Sequence, residues 1–220
     1  MAKLKTVYFC SECGYESSKW MGQCPSCKEW NTMSEETVAK LKSTGAVRSG
    51  TLSTNKEAVH IDEIELYEED RYRTGFEELD RVLGSGIVAG SLVLVGGDPG
   101  IGKSTILLQV CRNLAMSGKS VLYVSGEESL KQIKLRALRI GSIEGDLRFL
   151  CETDVVTIVA TIDKYKPQVV IIDSIQTMYI DELPSAQGSV TQVRESTLRL
   201  MQLAKQSATA IFIVGHVTKD

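Results

Sequence analysis

The sequence has no run of about 18 consecutive apolar residues, the length that a helix needs to cross a membrane. Its first residues, MAKLKTVYFCSEC, also lack the apolar core and the small-residue cleavage site of a secretory signal peptide. The first absence excludes a transmembrane helix, and the second argues against secretion. We therefore expect a cytoplasmic protein with no membrane partner.

An excess of positive charge is missing as well. The chain has 25 Lys and Arg against 28 Asp and Glu, and its formal net charge is −3. Proteins that bind nucleic acid indiscriminately usually carry more Lys and Arg than acidic residues. This charge balance therefore argues against indiscriminate nucleic-acid binding. A basic groove on one face of the protein is still compatible with the charge balance. We find no internal repeat.

Composition divides the chain into three regions. Residues 1–33 hold four of the six cysteines together with interleaved aromatic residues, whereas residues 34–60 are mostly polar and have no sustained periodicity. Residues 61–220 carry most of the apolar residues, enough for one sizeable core. The sequence therefore predicts a small metal-binding domain, a linker and one larger domain.

In the larger domain, short apolar runs alternate with amphipathic segments, which predicts an α/β fold with a parallel sheet. The apolar runs show no polar face, so we expect strands that are covered on both sides. Strands are predicted at 92–96, 121–125, 147–151, 169–173 and 209–215. Helices are predicted at 103–117, 129–140, 155–165 and 190–206. Cys111 and Cys151 fall within these elements and are interpreted as core residues.

The cysteines of the first region form two Cys-x-x-Cys pairs, and a tight turn can aim both thiolates of a pair at one centre. Two such pairs complete a tetrahedral sulfur shell, which predicts a structural zinc ion held by Cys10, Cys13, Cys24 and Cys27. About 30 residues form little core of their own, so the metal should hold the fold. Iron in a rubredoxin-like site and two redox-active pairs are the alternatives.

A phosphate-binding loop begins at the end of the first predicted strand of the larger domain. The sequence satisfies G-x-x-x-x-G-K-[ST] between a strand and a helix, which predicts binding of a nucleoside triphosphate, ATP with Mg²⁺. Lys103 is expected to reach the β- and γ-phosphates, and the Ser104 hydroxyl to bind Mg²⁺. The residues predicted to contact the nucleotide are Gly97, Asp98, Pro99, Gly100, Ile101, Gly102, Lys103, Ser104 and Thr105.

Three acidic residues lie at the end of other predicted strands or just after them. Asp173 ends the run VVIID and is expected to hold the hydrated Mg²⁺, although a turn-capping role would also fit. Glu127 and Glu128 follow the strand at 121–125, on the side of a parallel sheet where ligands bind. One of them is a candidate general base for water, and favourable placement at a helix N-terminus is the alternative.

Two further features of the sequence are compatible with more than one role. His216 ends the last predicted strand, where either a structural histidine or a sensor of the γ-phosphate would fit. A basic amphipathic segment could contact DNA, although a solvated face is the simpler interpretation. This segment contains Lys131, Lys134, Arg136 and Arg139.

Taken together, these motifs resemble those of the RadA (Sms) family of bacterial DNA repair proteins, and the resemblance covers the whole chain. It rests on the four-cysteine finger, the phosphate loop, the Ser-Gly-Glu-Glu-Ser run and several shorter motifs. The shorter motifs are Thr74-Gly75, Glu78-Leu-Asp-Arg-Val-Leu-Gly84, Ile172-Asp-Ser-Ile-Gln-Thr177, Gly188-Ser-Val-Thr-Gln-Val-Arg-Glu195 and Gly215-His-Val-Thr-Lys-Asp220.

The resemblance implies a RecA-like P-loop ATPase core that assembles as a hexamer similar to DnaB helicases. It implies DNA-dependent ATP hydrolysis for branch migration and for processing of recombination intermediates, with single-stranded and branched DNA and the RecA recombinase as partners. It assigns water activation to Glu127, with Lys103 and Asp173 as the other catalytic residues. It also implies that the stretch from His216 to Lys219 senses the nucleotide and leads to a DNA-contacting loop.

The family continues with a Lys-Asn-Arg-Phe-Gly motif and a Lon-protease-like domain, which do not occur in these 220 residues. We therefore interpret the chain as a fragment that binds nucleotide but turns it over poorly. Two alternatives to a motor remain. One is a nucleotide switch similar to the single-domain relatives of the clock protein KaiC, and the other is an ATP-ordered assembly module that interacts with RecA.

Overall fold

The computed structural model describes residues 4–10, 15–39, 60, 62, 71–183 and 185–216. The chain divides into two compact units, Met1–Glu69 and Asp70–Asp220. Within the described ranges, no helix is both long enough and apolar enough to cross a membrane.

The N-terminal unit contains a three-stranded antiparallel sheet. Strand β1 (Leu4–Cys10) lies at its centre and pairs with β2 (Glu16–Ser17) and β3 (Met33–Ala39). The ladder between β1 and β3 runs from Cys10 opposite Met33 to Leu4 opposite Ala39. Strand β3 therefore extends to residue 39, into the segment 34–60 that the sequence predicts as linker. The prediction stopped short because backbone pairing with β1 leaves no apolar pattern in the sequence. Residues 40–59 of that segment lie outside the described residues.

The C-terminal unit is built on a five-stranded parallel sheet, with the order β6, β10, β9, β7 and β8. These strands are β6 (Leu92–Gly97), β7 (Val121–Ser125), β8 (Leu147–Cys151), β9 (Val169–Asp173) and β10 (Ala210–His216). The helices between them are α2 (Lys103–Met116), α3 (Leu130–Ile140), α4 (Val155–Tyr165) and α5 (Val190–Ser207). A short 3₁₀ turn, Ile175–Thr177, follows β9.

Local capping explains why these elements begin and end close to the predicted positions. Ser129 caps α3 by accepting from the backbone N–H of Gln132, and Asp154 caps α4 in the same manner. Gly118 takes a positive φ of 82° just after α2, as the C-terminal glycine of a helix commonly does. The predicted α/β class with a parallel RecA-like sheet is confirmed.

Burial is uneven across the sheet, and the expectation that all five strands are covered on both sides is wrong. Every residue of the central strands β7 and β9 is buried, but Leu94 of β6 is 71% exposed and Cys151 at the end of β8 is also exposed. Strands β6 and β8 lie at the two edges of the described sheet, where fewer elements cover them. Cys151 is therefore not a core residue, whereas Cys111 is fully buried.

A small substructure precedes β6 that the periodicity does not predict. Strand β4 (Arg71–Tyr72) pairs with β5 (Ile87–Val88), and helix α1 (Glu77–Val82) lies between them. Asp80 accepts a hydrogen bond of 2.8 Å from the Thr74 backbone N–H and is 6% exposed. The Thr74-Gly75 and Glu78–Gly84 motifs therefore contribute to the structure of this entry segment.

The core offers a first testable prediction. Phe212 of β10 has no exposed surface and packs in a cluster with Leu107, Tyr123 and Ile171. We expect Phe212→Ala to lower the free energy of unfolding by about 3–5 kcal/mol, because it removes buried area and leaves a cavity. Leu138→Ala, at a position 66% exposed, is the control and should change it by less than about 0.5 kcal/mol. Equal urea midpoints for the two variants would contradict this assignment of the core.

Candidate nucleotide site and metal centre

The phosphate loop connects β6 to α2 through three glycines in unusual backbone conformations. Gly97, Gly100 and Gly102 have φ values of 155°, 78° and 101°, which residues with a Cβ atom rarely adopt. Gly102 is the N-cap of α2 and provides no side chain to cap the helix. Thr105 N–H donates to the Gly102 carbonyl, which leaves the N–H groups of Lys103 and Ser104 and the helix dipole to receive an anion, as in other phosphate-binding loops.

Lys103 turns back over this loop. Its Nζ donates to the carbonyl oxygens of Gly97 and Asp98 at 2.6 and 2.8 Å, and the side chain is 8% exposed. Nζ also lies 3.4 Å from Nδ1 of His216. The two loop carbonyls that accept from this buried ammonium are neutral, so it is well placed to exchange them for an anion.

Glu127 meets His216 and a residue that the motifs do not assign, Ser174. The Ser174 hydroxyl donates to Glu127 Oε1 at 2.5 Å, and His216 Nε2 lies 3.3 Å from the same oxygen. The hydrogen bond from Ser174 is the main cause that lowers the pKa of Glu127, and His216 and Lys103 add to it. Glu127 is therefore ionised at neutral pH and can accept a hydrogen bond from water.

The side chains of the neighbouring residues Glu127 and Glu128 have different partners. The hydroxyl of Ser125 accepts from the backbone N–H groups of both Glu127 and Glu128, which fixes the turn after β7. Glu128 forms an ion pair of 2.8 Å with Arg136 of α3. Glu127 is thus the member of the pair that lies beside Lys103 and His216.

Asp173 ends β9 and is 6% exposed. The buried hydroxyl of Tyr123, on the neighbouring strand β7, donates to its Oδ2. Arg136 Nη2 donates in turn to the Tyr123 oxygen at 3.0 Å. Sequence reasoning assigned no role to Tyr123 or Ser174, because Tyr123 is an isolated Tyr within an apolar run and Ser174 belongs to the Ile172–Thr177 motif without a predicted function.

Arg136 also changes the interpretation of the basic segment. Its side chain is 18% exposed and faces Tyr123 and Glu128, so it is not part of a solvated face. Lys131, Lys134 and Arg139 are exposed. The four basic residues share a helix but not one face, because Arg136 turns toward β7.

A cleft of about 350 Å³ collects most of the predicted site residues. Ile101 lies next to the cleft and is 71% exposed, and Asp98 and Gly97 complete the loop. The lining of the cleft combines glycines and hydroxyl groups of the loop with two cations, Lys103 and Arg136, and with Glu127 and His216. The full lining is Pro99, Gly100, Gly102, Lys103, Ser104, Thr105, Glu127, Arg136 and His216. These groups suit a triphosphate, with the Ser104 hydroxyl as a hard oxygen donor for Mg²⁺, whereas Asp173, the other predicted Mg²⁺ ligand, is not part of this lining.

The second site lies in the N-terminal unit. The sulfur atoms of Cys10, Cys24 and Cys27 all lie within 4.8 Å of one another, and those of Cys10 and Cys27 are 3.6 Å apart. Zn–S bonds of about 2.3 Å at tetrahedral angles place two sulfurs about 3.8 Å apart, so the spacing fits a Zn–S₄ centre. Cys13, the fourth predicted ligand, lies outside the described residues.

Comparison with protein families agrees with both sites. A family model described as an AAA domain matches residues 60–220. The chain belongs to the AAA-domain family. A zinc-ribbon model described as a rubredoxin metal binding domain matches residues 8–35, which include all four predicted cysteine ligands.

Curated relatives extend this result over the whole chain. The chain is 53% identical to a DNA repair protein RadA of Bacillus subtilis, 55% identical to one of Halalkalibacterium halodurans and 51% identical to one of Pseudomonas aeruginosa. Each alignment covers 100% of the chain and 48% of the relative, so the chain spans about half the length of the curated relatives it matches. The predicted RadA resemblance is confirmed. The cofactor predictions, ATP with Mg²⁺ and zinc, are supported by the two domain matches and the cysteine cluster.

Proposed function

We propose that the chain is the nucleotide-binding part of a DNA-dependent ATPase that acts in recombination and DNA repair. The complete protein would drive branch migration and process recombination intermediates as a hexameric, DnaB-like motor with helicase-like activity. One observation carries the ATPase assignment: Lys103, His216 and Glu127 converge on the phosphate-loop cleft from three different strand ends.

The geometry assigns a task to each of these residues. The open N-terminus of α2 would receive the phosphates, and Lys103 would exchange the Gly97 and Asp98 carbonyls for phosphate oxygens. Mg²⁺, held through Ser104 and Asp173, would neutralise charge on the phosphates. Glu127 would orient water, while His216 links it to Lys103 and can transmit the state of the γ-phosphate to the end of β10. Thr218 and Lys219, predicted to continue this path, lie outside the described residues.

The partners and location belong to the same proposal. We propose single-stranded and branched DNA as substrates, RecA as a partner protein, and the cytoplasm as the site of action; the names of the DNA repair relatives support DNA as the substrate class. The zinc ribbon would serve as the contact to RecA. We propose residues 1–33, 34–60 and 61–220 as finger, linker and ATPase domain. The two family matches, residues 8–35 and 60–220, support this division, since they extend into the proposed linker only at residues 34, 35 and 60.

The first test is steady-state ATP hydrolysis by the complete gene product, measured alone, with single-stranded DNA and with RecA. We expect DNA to stimulate turnover, and Lys103→Ala to lower kcat/KM by about 10²–10³-fold because a preorganised donor to the phosphates is lost. Lys205→Ala, an exposed lysine of α5, is the control. Nucleotide binding without any response to DNA would favour the switch, and a response to RecA alone would favour the assembly module.

A further inference from the structure

A chain of contacts runs from the phosphate-loop cleft to Asp173 through residues that no motif assigns. Tyr123 has no exposed surface, and its hydroxyl donates to Asp173 Oδ2. Arg136 Nη2 donates to the Tyr123 oxygen at 3.0 Å and forms the 2.8 Å ion pair with Glu128. Glu128, Arg136, Tyr123 and Asp173 therefore form one continuous series of polar contacts across two strands and a helix.

Core packing alone does not account for this series. The Tyr123 ring packs against Phe149 with its centroid 5.9 Å away, and a phenylalanine at this position would keep that contact. The hydroxyl adds a polar group to an apolar cluster, which is favourable only where partners are supplied. Both of its hydrogen-bonding capacities are used, because it donates to Asp173 and accepts from Arg136.

We propose that Tyr123 and Arg136 are positioning residues for the Mg²⁺ site, a role that rests on the proposed nucleotide site. The Tyr123 hydroxyl donates to Oδ2 of Asp173 and would thereby hold the carboxylate in one orientation for the hydrated cation. Arg136 polarises that hydroxyl and strengthens its bond to the carboxylate. Glu128 compensates the charge of Arg136, so that the series adds no net positive charge beside Mg²⁺. Partners of this kind, which orient a ligand without touching the metal, strongly affect metal affinity.

The test measures Mg²⁺ dependence of nucleotide binding instead of activity. We expect Tyr123→Phe to raise the Mg²⁺ concentration for half-maximal tightening of fluorescent ATP-analogue binding by about tenfold. Binding of the same analogue in EDTA should stay within about twofold of wild type. Tyr165→Phe, at a tyrosine 44% exposed on α4, is the matched control and should change neither quantity.

Arg136→Gln tests the second member of the series. We expect a similar Mg²⁺ shift, and the double variant with Tyr123→Phe should show little more than the larger single effect, since both act through one hydrogen-bonded chain. Additive shifts, or an unchanged Mg²⁺ requirement in Tyr123→Phe, would overturn the proposal. Weaker binding in EDTA for Arg136→Gln alone would instead make Arg136 a direct phosphate contact. If the wild-type chain bound no nucleotide, the proposed function itself would fail.

Discussion

Glu127→Gln is expected to lower ATP turnover of the complete gene product by about 10²–10⁴-fold, with ATP affinity changed by no more than about twofold. The measurement is kcat under saturating ATP and DNA, together with equilibrium binding of a fluorescent ATP analogue. This large effect on one quantity and small effect on the other would identify Glu127 as a residue that acts on water and not on ATP.

The expectation follows from the contacts of the Glu127 carboxylate. Ser174 and His216 both lie against Oε1, so this oxygen is fixed while Oε2 remains available to a water molecule. Phosphoryl transfer has a loose transition state, in which orienting the attacking water matters more than strong basicity. A glutamate with a lowered pKa suits that task, because it stays ionised throughout the neutral range. Glutamine keeps the shape but presents a neutral amide.

Glu144→Gln is the matched control, since Glu144 is exposed in the loop before β8 and outside the cleft. It should retain the turnover of the wild type. Retention of turnover by Glu127→Gln would contradict the assignment and would leave Glu128 as the remaining candidate from the predicted pair. Loss of ATP binding would instead show that Glu127 supports the fold of the loop.

The phosphate loop and the secondary structure could be predicted because their determinants are local in sequence. Gly97, Gly102, Lys103 and Ser104 occur within eight residues, and the predicted strand and helix around them agree with β6 and α2 to within a residue. Helix caps such as Ser129 act over three or four residues in the same way. Spacing alone therefore carries this part of the site.

The residues that complete the site depend on which strands are neighbours. Tyr123 and Asp173 are 50 positions apart, and Glu127 and His216 are 89 apart. These pairs meet only because β9 lies between β7 and β10, an order that periodicity does not reveal. The same reason explains Arg136: helix spacing places it among other basic residues, but the position of β7 turns it inward.

Removal of the zinc ion is expected to have a large effect on the folding of the N-terminal unit. Among the side chains that the structure describes in this unit, the core cluster consists of Cys10, Cys24 and Met33 with a few half-buried neighbours. Structural zinc binding is worth about 10–16 kcal/mol in small zinc domains, more than such a cluster can supply. We therefore expect chelation to unfold residues 4–39, measured as loss of protease resistance and of amide protection in that range.

Cys24→Ser should weaken zinc affinity by more than about a hundredfold, because it removes a thiolate that is fully buried in the cluster. Cys151→Ser is the matched control: Cys151 is exposed at the end of β8 and should be dispensable for the metal. Metal analysis of the two purified variants separates them, with one zinc per chain expected only for Cys151→Ser. Bound iron in the wild-type chain, visible as thiolate-to-iron absorption, would favour the rubredoxin-like alternative. The spacing of the three described sulfurs suits either ion, so the metal content of the protein decides between them.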